Sequence, residues 1–237
     1  MVRTIVVLVV SSLYMVIEGG IFIPLAMLLK DNELIYRAGR RVATLATWLS
    51  GAKITVENPE NLHPGRPAVF VLNHVSNMDP PAVASILPRV VVMAKHQAFK
   101  IPIAGAAFRM ASFIPVYRGT ERAAQSVTLG TERLKQGFSL LAYPEGTRTR
   151  TGELLPFRHG VFLMAIRANA LIVPITSVGF RELMPVGQFG IKPGPIRFII
   201  HPPISTDGLK DEDRGALAER TRDIIASALP AHDTTVQ

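Results

Sequence analysis

Hydrophobic and polar positions fall into three regimes along the chain. From Thr4 to Leu29 the run is apolar with one charge, Glu18, and Arg3 and Lys30 flank it. As a helix rising 1.5 Å per residue it reaches about 39 Å, enough to cross a hydrocarbon core. Glu18-Gly19-Gly20 interrupts the run and Pro24 follows. The pattern therefore predicts a transmembrane helix bent in the middle, a re-entrant or interfacial helix pair, or a secretory signal, though no small-x-small cleavage site precedes a polar start. A buried core helix is the fourth reading. In the second regime Leu34, Ala38, Val42, Leu45 and Leu49 recur at helical spacing, predicting an amphipathic helix over Leu34–Leu49 with Trp48 near its end as an interfacial anchor or a core residue.

Beyond residue 50, short β-rich runs alternate with helical stretches. Strands are predicted near Ile54–Val56, Ala68–Leu72, Val90–Met93, Phe113–Val116, Leu140–Tyr143, Ile172–Ser177 and Ile196–Ile200. Helices are predicted over Pro81–Leu87, Ile103–Met110, Arg122–Lys135, Val161–Asn169 and Lys210–Leu229. Such alternation predicts an α/β layered domain around a central mixed, largely parallel sheet flanked by helices, preceded by N-terminal membrane-associated helices. Pro174 inside a strand points to an edge or bulge. No linker divides residues 50 to 237, so the expected organisation is a hydrophobic membrane-anchoring helical segment over 1–50 and an α/β domain over 51–237.

Composition narrows the function classes. Of 237 residues, 48% are apolar, 19% are charged and none is cysteine. That excludes disorder as the main state, and with it disulfide scaffolds and cysteine-ligated metals. The formal charge of +8 calls for an anionic partner. Residues 89 to 167 carry twelve bases against four acids, a net +8, and the remainder cancels. The bases stand singly among apolar runs, without the dense Lys/Arg clusters and interleaved aromatics of a nucleic-acid module, so no nucleic-acid partner is expected. Lys30, Arg37, Arg40 and Arg41 outnumber Arg3 across the apolar run, which by the positive-inside rule puts the bulk of the chain on the cytoplasmic side of the cell membrane.

Four constellations carry candidate chemistry. Asn73-His74-Val75-Ser76-Asn77-Met78-Asp79 opens where the strand Ala68–Leu72 ends. A carboxylate five residues from a histidine can orient the imidazole while the other ring nitrogen takes a proton. The same Asp79 also suits an N-cap before Pro80-Pro81, with His74 as an ordinary strand-end histidine. Tyr143-Pro144-Glu145-Gly146-Thr147-Arg148 directly follows another apolar strand, Leu140-Leu141-Ala142: the turn can aim backbone amides at an anion, Arg148 offers a fork for phosphate, and Glu145 can hold a hydroxyl or a base. It equally reads as a surface turn with a charge pair. Phe113-Ile114-Pro115-Val116-Tyr117-Arg118 ends a strand in a second arginine, which would meet Arg148 on one phosphate if the strands are neighbours, or lie on the surface if not. Val173-Pro174-Ile175 carries no chemistry of its own.

Taken in chain order, these blocks, with His74-(four residues)-Asp79 as the first and Pro144-Glu145-Gly146-Thr147-Arg148 as the third, resemble the glycerolipid acyltransferases, the bacterial 1-acyl-glycerol-3-phosphate acyltransferases above all. Supporting matches are Ala94-Lys95, Phe99-Lys100-Ile101-Pro102 with Gly105, and Phe157-Arg158-His159-Gly160. Ser112 departs from a frequent Gly, and Arg158 from a frequent Lys. The resemblance implies fatty acyl transfer from acyl-CoA or acyl carrier protein to the free hydroxyl of lysophosphatidic acid, giving phosphatidic acid. On that likeness His74 is the general base and Asp79 its orienting partner. Arg118 and Arg148 bind phosphate, Glu145, Gly146 and Thr147 shape the acceptor site, and Lys95 adds positive potential. The thioester is a co-substrate, and neither cofactor nor metal is implied. The expected partners are lysophosphatidic acid, the donor and an anionic membrane surface. An acyltransferase acting on glycerol 3-phosphate or a lyso-aminolipid, and a non-catalytic anionic-lipid-binding membrane protein, are the competing readings.

Overall fold

The computed structural model describes residues 1–117, 121–149 and 152–230. Seven strands form one sheet: β1 (Ala52–Glu57), β2 (Ala68–Leu72), β3 (Val90–Lys95), β4 (Ile114–Val116), β5 (Ser139–Ala142), β6 (Leu171–Val178) and β7 (Gly194–Ile200). Their spatial order is β1-β7-β6-β2-β5-β3-β4. Every ladder is parallel except β6 with β7. The sheet is thus mixed and mostly parallel, as the alternation of runs predicts.

Helices fall on both faces. Every residue of β2 is buried, which is why Ala68-Val69-Phe70-Val71-Leu72 reads as a continuous apolar run and not an alternating one. Phe70 and Leu72 point into one core, closed by Val83 of α3 (Asp79–Ile86) and by Phe180 and Leu183 of the one-turn α7 (Phe180–Leu183). Val69 and Val71 point into the other, closed by Leu134 of α5 (Ala123–Lys135), Phe162 and Ala165 of α6 (Gly160–Ala168), and Leu217 and Ile225 of α8 (Arg214–Ser227). The short α4 (Ala104–Met110) precedes β4, the last strand of the sheet. Ser126 of α5 serves that strand's backbone, donating to the Pro115 carbonyl at 2.9 Å and accepting from the Tyr117 N–H at 3.4 Å.

The N-terminal run is one continuous helix, α1 (Val2–Leu29), passing through Gly19-Gly20 and Pro24 where an interruption was expected. Gly19 marks a close contact: a Cβ there would lie 2.2 Å from Cγ2 of Ile103. Glu18 is buried because Arg41 of α2 (Glu33–Ser50) meets it with two hydrogen bonds, Nε to Oε1 at 2.9 Å and Nη2 to Oε2 at 2.6 Å. Of α1 only Thr4, Val7, Glu18 and Ala26 are buried, so it is not a core helix. Trp48 is 73% exposed, which removes its core reading.

Pro174 is not at an edge, since β6 lies between β7 and β2. It falls in the gap between the isolated Ile172–Ile204 bridge and the β7 ladder, which starts at Ile175. Its carbonyl accepts from the His201 N–H at 2.9 Å, and its nitrogen adds no rung where the ladder has not begun.

Candidate active site

β2, β5, β3 and β4 are parallel neighbours, so their carboxyl ends share one edge of the sheet, the edge at which open α/β sheets place reactive groups. His74 lies just past β2. Its Nδ1 is 2.8 Å from Oδ2 of Asp79, and the imidazole keeps partial exposure while Asp79 is wholly buried. The same carboxylate oxygen accepts the backbone N–H of Val75 at 2.7 Å and of Ser76 at 2.9 Å. An oxygen already fixed by two N–H donors is an acceptor, so Nδ1 carries the proton and Nε2 is left with its lone pair. Asp79 also begins α3, but its side chain closes the loop ahead of the helix and makes no side-chain cap.

Asn73 fastens this loop to β6. Its Nδ2 donates to the Ser177 carbonyl at 3.0 Å, and its Oδ1 accepts the Ser177 N–H at 2.8 Å and hydroxyl at 3.1 Å. Ser76 adds a second tie, its hydroxyl donating to the Met184 carbonyl at 2.8 Å.

The loop after β5 closes over the first. Glu145, 4% exposed, turns inward: Oε1 accepts the His74 N–H at 2.7 Å and Oε2 the Leu155 N–H at 3.0 Å. It therefore holds the histidine's backbone in place. Burial raises its carboxyl from an ordinary 4.5 to about 7, against the pull of the Leu155 and His74 N–H groups. The Thr149 N–H donates to the His74 carbonyl at 3.1 Å, and Arg148 donates through Nη1 to Oδ1 of Asn77. Gly146 has φ 72°, a backbone conformation that favours glycine, and a Cβ there would lie 2.6 Å from Nε of Arg158. Thr147 is exposed on the same turn.

Thus His74, Asp79, Glu145, Gly146, Thr147 and Arg148 are brought together. Lys95 is not joined to them: it ends β3, two strands from β2, exposed and without a hydrogen bond or ion pair to the other residues. Arg118 lies outside the described residues. Ser112 adopts φ 59°, the left-handed region that glycine favours, a physical reason for the glycine often found at that place.

Sequence reasoning passed over Tyr143. Its ring stacks on the His74 imidazole, centroids 4.2 Å apart and planes at 28°. The signal was present in the strand register: Ala142 of β5 pairs with Val71 of β2, so both chains leave the sheet side by side. Burial, and then the Asp79 charge, hold the Tyr143 hydroxyl well above its ordinary range.

A buried carboxylate that orients an imidazole at the carboxyl edge of a mostly parallel sheet, with an arginine beside it, defines an α/β protein equipped to take a proton from a hydroxyl next to an anion. The family model described as Acyltransferase matches residues 53–178, more than half of the chain, and the chain belongs to that family. It is 38% identical over 173 residues to a chloroplast 1-acyl-sn-glycerol-3-phosphate acyltransferase of Arabidopsis thaliana, covering 70% of this chain and 49% of that one. It is 32% identical over 180 residues to the 1-acyl-sn-glycerol-3-phosphate acyltransferase alpha of Bos taurus, covering 74% and 62%. The chain thus spans about half the length of the first relative and under two thirds of the second. In fold it matches the crystal structure of the 1-acyl-sn-glycerophosphate (LPA) acyltransferase PlsC of Thermotoga maritima, with a TM-score of 0.80 over 97% of each chain at 22% identity.

Proposed function

We propose that this protein transfers a fatty acyl group from a thioester to the free hydroxyl of 1-acyl-glycerol 3-phosphate, giving phosphatidic acid. The observation that carries the reading is the 2.8 Å contact between His74 Nδ1 and an Asp79 oxygen that two backbone amides hold in place. Nε2 takes the proton as the acceptor oxygen attacks the thioester carbonyl. The carbon–oxygen bond forms, the carbon–sulfur bond breaks, and the proton passes from His74 to the departing thiolate. Asp79 stabilises the imidazolium in between. Arg148 is joined through Asn77 to the loop that carries His74, where a guanidinium fork suits the acceptor's phosphate. The names of the relatives support the acceptor, and acylation of its free hydroxyl gives phosphatidic acid.

The setting we propose is a membrane surface, with α1 lying along it. The helix is tied to the α/β domain near both ends: Thr4 Oγ1 accepts the Ile191 N–H at 2.9 Å, and Ala26 packs with Ile35 and Ala111. Its outer face is apolar and exposed, including Leu13 at 60% and Ile17 at 49%. A helix fastened lengthwise to a water-soluble domain lies in the interface and does not cross the bilayer. We place the domain on the cytoplasmic side, where the thioester donor is found, and residues 1–50 with the membrane.

The test is an acceptor and donor panel on the detergent-purified chain, scored by product mass. Phosphatidic acid from lysophosphatidic acid and acyl-CoA or acyl carrier protein is expected, with a loss of about 10²- to 10⁴-fold in His74→Ala. Full activity in that variant overturns the base assignment. Product from glycerol 3-phosphate or a lyso-aminolipid alone overturns the acceptor.

A further inference from the structure

Several surface arginines meet carboxylates: Arg66 with Asp207, Arg167 with Asp211 and Arg197 with Glu57. Arg222 of α8 meets a neutral acceptor instead. Its Nη2 donates to the Leu154 carbonyl at 3.1 Å, 68 residues earlier in sequence, and its Nε is buried with no hydrogen-bond partner among the described residues. A guanidinium drawn partly out of water loses hydration that one bond to a carbonyl does not restore. The far side of that carbonyl's peptide shows what the arrangement does.

The Leu154–Leu155 peptide is trans, so its C=O and N–H point in opposite directions. Arg222 holds the C=O, and the N–H donates to Glu145 Oε2 at 3.0 Å. Glu145 Oε1 in turn accepts the His74 N–H at 2.7 Å. A row of hydrogen bonds thus runs from α8, through one peptide unit and one carboxylate, to the backbone of the histidine, each bond polarising the next. Both ends of the row are fixed. α8 is seated by Leu217, Ala218 and Ile225 in the core, and Leu154 packs on that same core. At the other end the His74 carbonyl accepts the Thr149 N–H at 3.1 Å, and Nδ1 meets Asp79 at 2.8 Å. Burial raises the Glu145 carboxyl and the two amides lower it; of the charges that follow, Asp79 raises it and Arg222 lowers it. Arg222 thereby favours the ionised carboxylate, the form in which both oxygens accept.

We propose that Arg222 is a positioning residue for acyl transfer: it holds the Leu154–Leu155 peptide so that Glu145 keeps the His74 backbone, and with it the imidazole, where Nε2 reaches the acceptor hydroxyl. The proposal rests on the acyl-transfer reading of the His74 site. Arg222 acts through Glu145 and not on the reacting atoms.

The test is a double-mutant cycle of Arg222→Gln and Glu145→Gln on the detergent-purified full chain, read by steady-state kinetics. Arg222 keeps partial exposure, so the fold tolerates its replacement. Arg222→Gln alone is expected to lower kcat by about tenfold at unchanged KM for both substrates. In the Glu145→Gln background the same change lowers kcat by about twofold or less, because the row is already cut. Arg222→Lys keeps the charge, a donor and the aliphatic stem, and holds kcat within about threefold of the native chain. Additive losses in the cycle overturn the proposal, as do a rise in KM in place of the fall in kcat, or equal losses with Gln and Lys. Amide exchange gives a reading that needs no turnover: Arg222→Gln quickens exchange at Leu155 and His74 by about tenfold while β2 keeps its protection. Unchanged exchange at those two amides also overturns the proposal. Quickened exchange in a chain that transfers no acyl group sinks the acyl-transfer reading, whereas transfer with unchanged exchange sinks only the role of Arg222.

Discussion

Tyr143 presses its ring on the His74 imidazole, while its hydroxyl is buried with no hydrogen-bond partner among the described residues, as is Oδ1 of Asp79. The two halves of the side chain therefore have opposite consequences. A buried hydroxyl left unpaired costs free energy, so Tyr143→Phe is expected to stabilise the fold by on the order of 1 kcal/mol and to leave kcat unchanged. Removing the ring frees the imidazole to tilt, and Tyr143→Leu is expected to lower kcat by about tenfold to a hundredfold at unchanged KM. Thermal melts and steady-state kinetics on the two variants check this, and equal kcat in Phe and Leu would refute the positioning role. Single residues were unevenly legible in the sequence. His74 and Asp79 were readable because both sit in one short loop, where five residues of chain fix their approach. Glu145 was readable as part of the site, but its hold on the His74 backbone was not, because that contact depends on the neighbouring strand, and His74 lies 71 residues earlier in sequence.

At the scale of elements, most strands and helices follow their apolar spacing, and the N-terminal helix shows where that spacing misleads. A glutamate and two glycines in an apolar run look like a break because their partners are remote: Arg41 for Glu18, and Ile103 for Gly19. Arg41 also lies over the Phe22 ring at 4.5 Å, so the pair is sheltered between α1 and α2. With Glu18 satisfied inward, the opposite face of α1 is left apolar but for the Ser12 hydroxyl, and that face is the one expected to meet lipid. Truncating the helix would remove Val7 from the main core, so outward substitutions test the face more cleanly. Leu13→Asp with Ile17→Asp places two charges one turn apart on exposed positions. The native chain is expected to float with vesicles containing phosphatidylglycerol, and the double variant to remain in the soluble fraction at an unchanged melting temperature. Undiminished flotation of the double variant would remove α1 from the membrane.

The whole molecule carries what no local pattern encodes, the order of its strands. Nothing between residues 178 and 200 announces that β7 runs antiparallel beside β6 and also pairs with β1, or that β5 inserts between β2 and β3. That order buries Glu145 between two loops and puts a carboxyl that titrates at about 7 in the centre of the protein. Unfolded, the same group titrates near its ordinary 4.5. Between those values the native chain holds a proton that the unfolded chain has released, so the group's stabilising contribution is complete below about 4.5 and is lost as pH rises through about 7. Its ceiling is about 3 kcal/mol. His201 works in the opposite sense, since burial lowers its pKa and protonation at low pH favours unfolding. The readout is therefore the difference between native chain and Glu145→Gln in urea midpoints from pH 5 to 8, in which the His201 contribution cancels. Gln cannot titrate, and its amide leaves one of the two backbone N–H groups facing a donor, a cost that does not vary with pH. The stability of the native chain relative to Glu145→Gln is expected to decline from pH 5 to about 7 and to level off above that. Parallel profiles would show that Glu145 is already ionised throughout and that the two amides outweigh its burial.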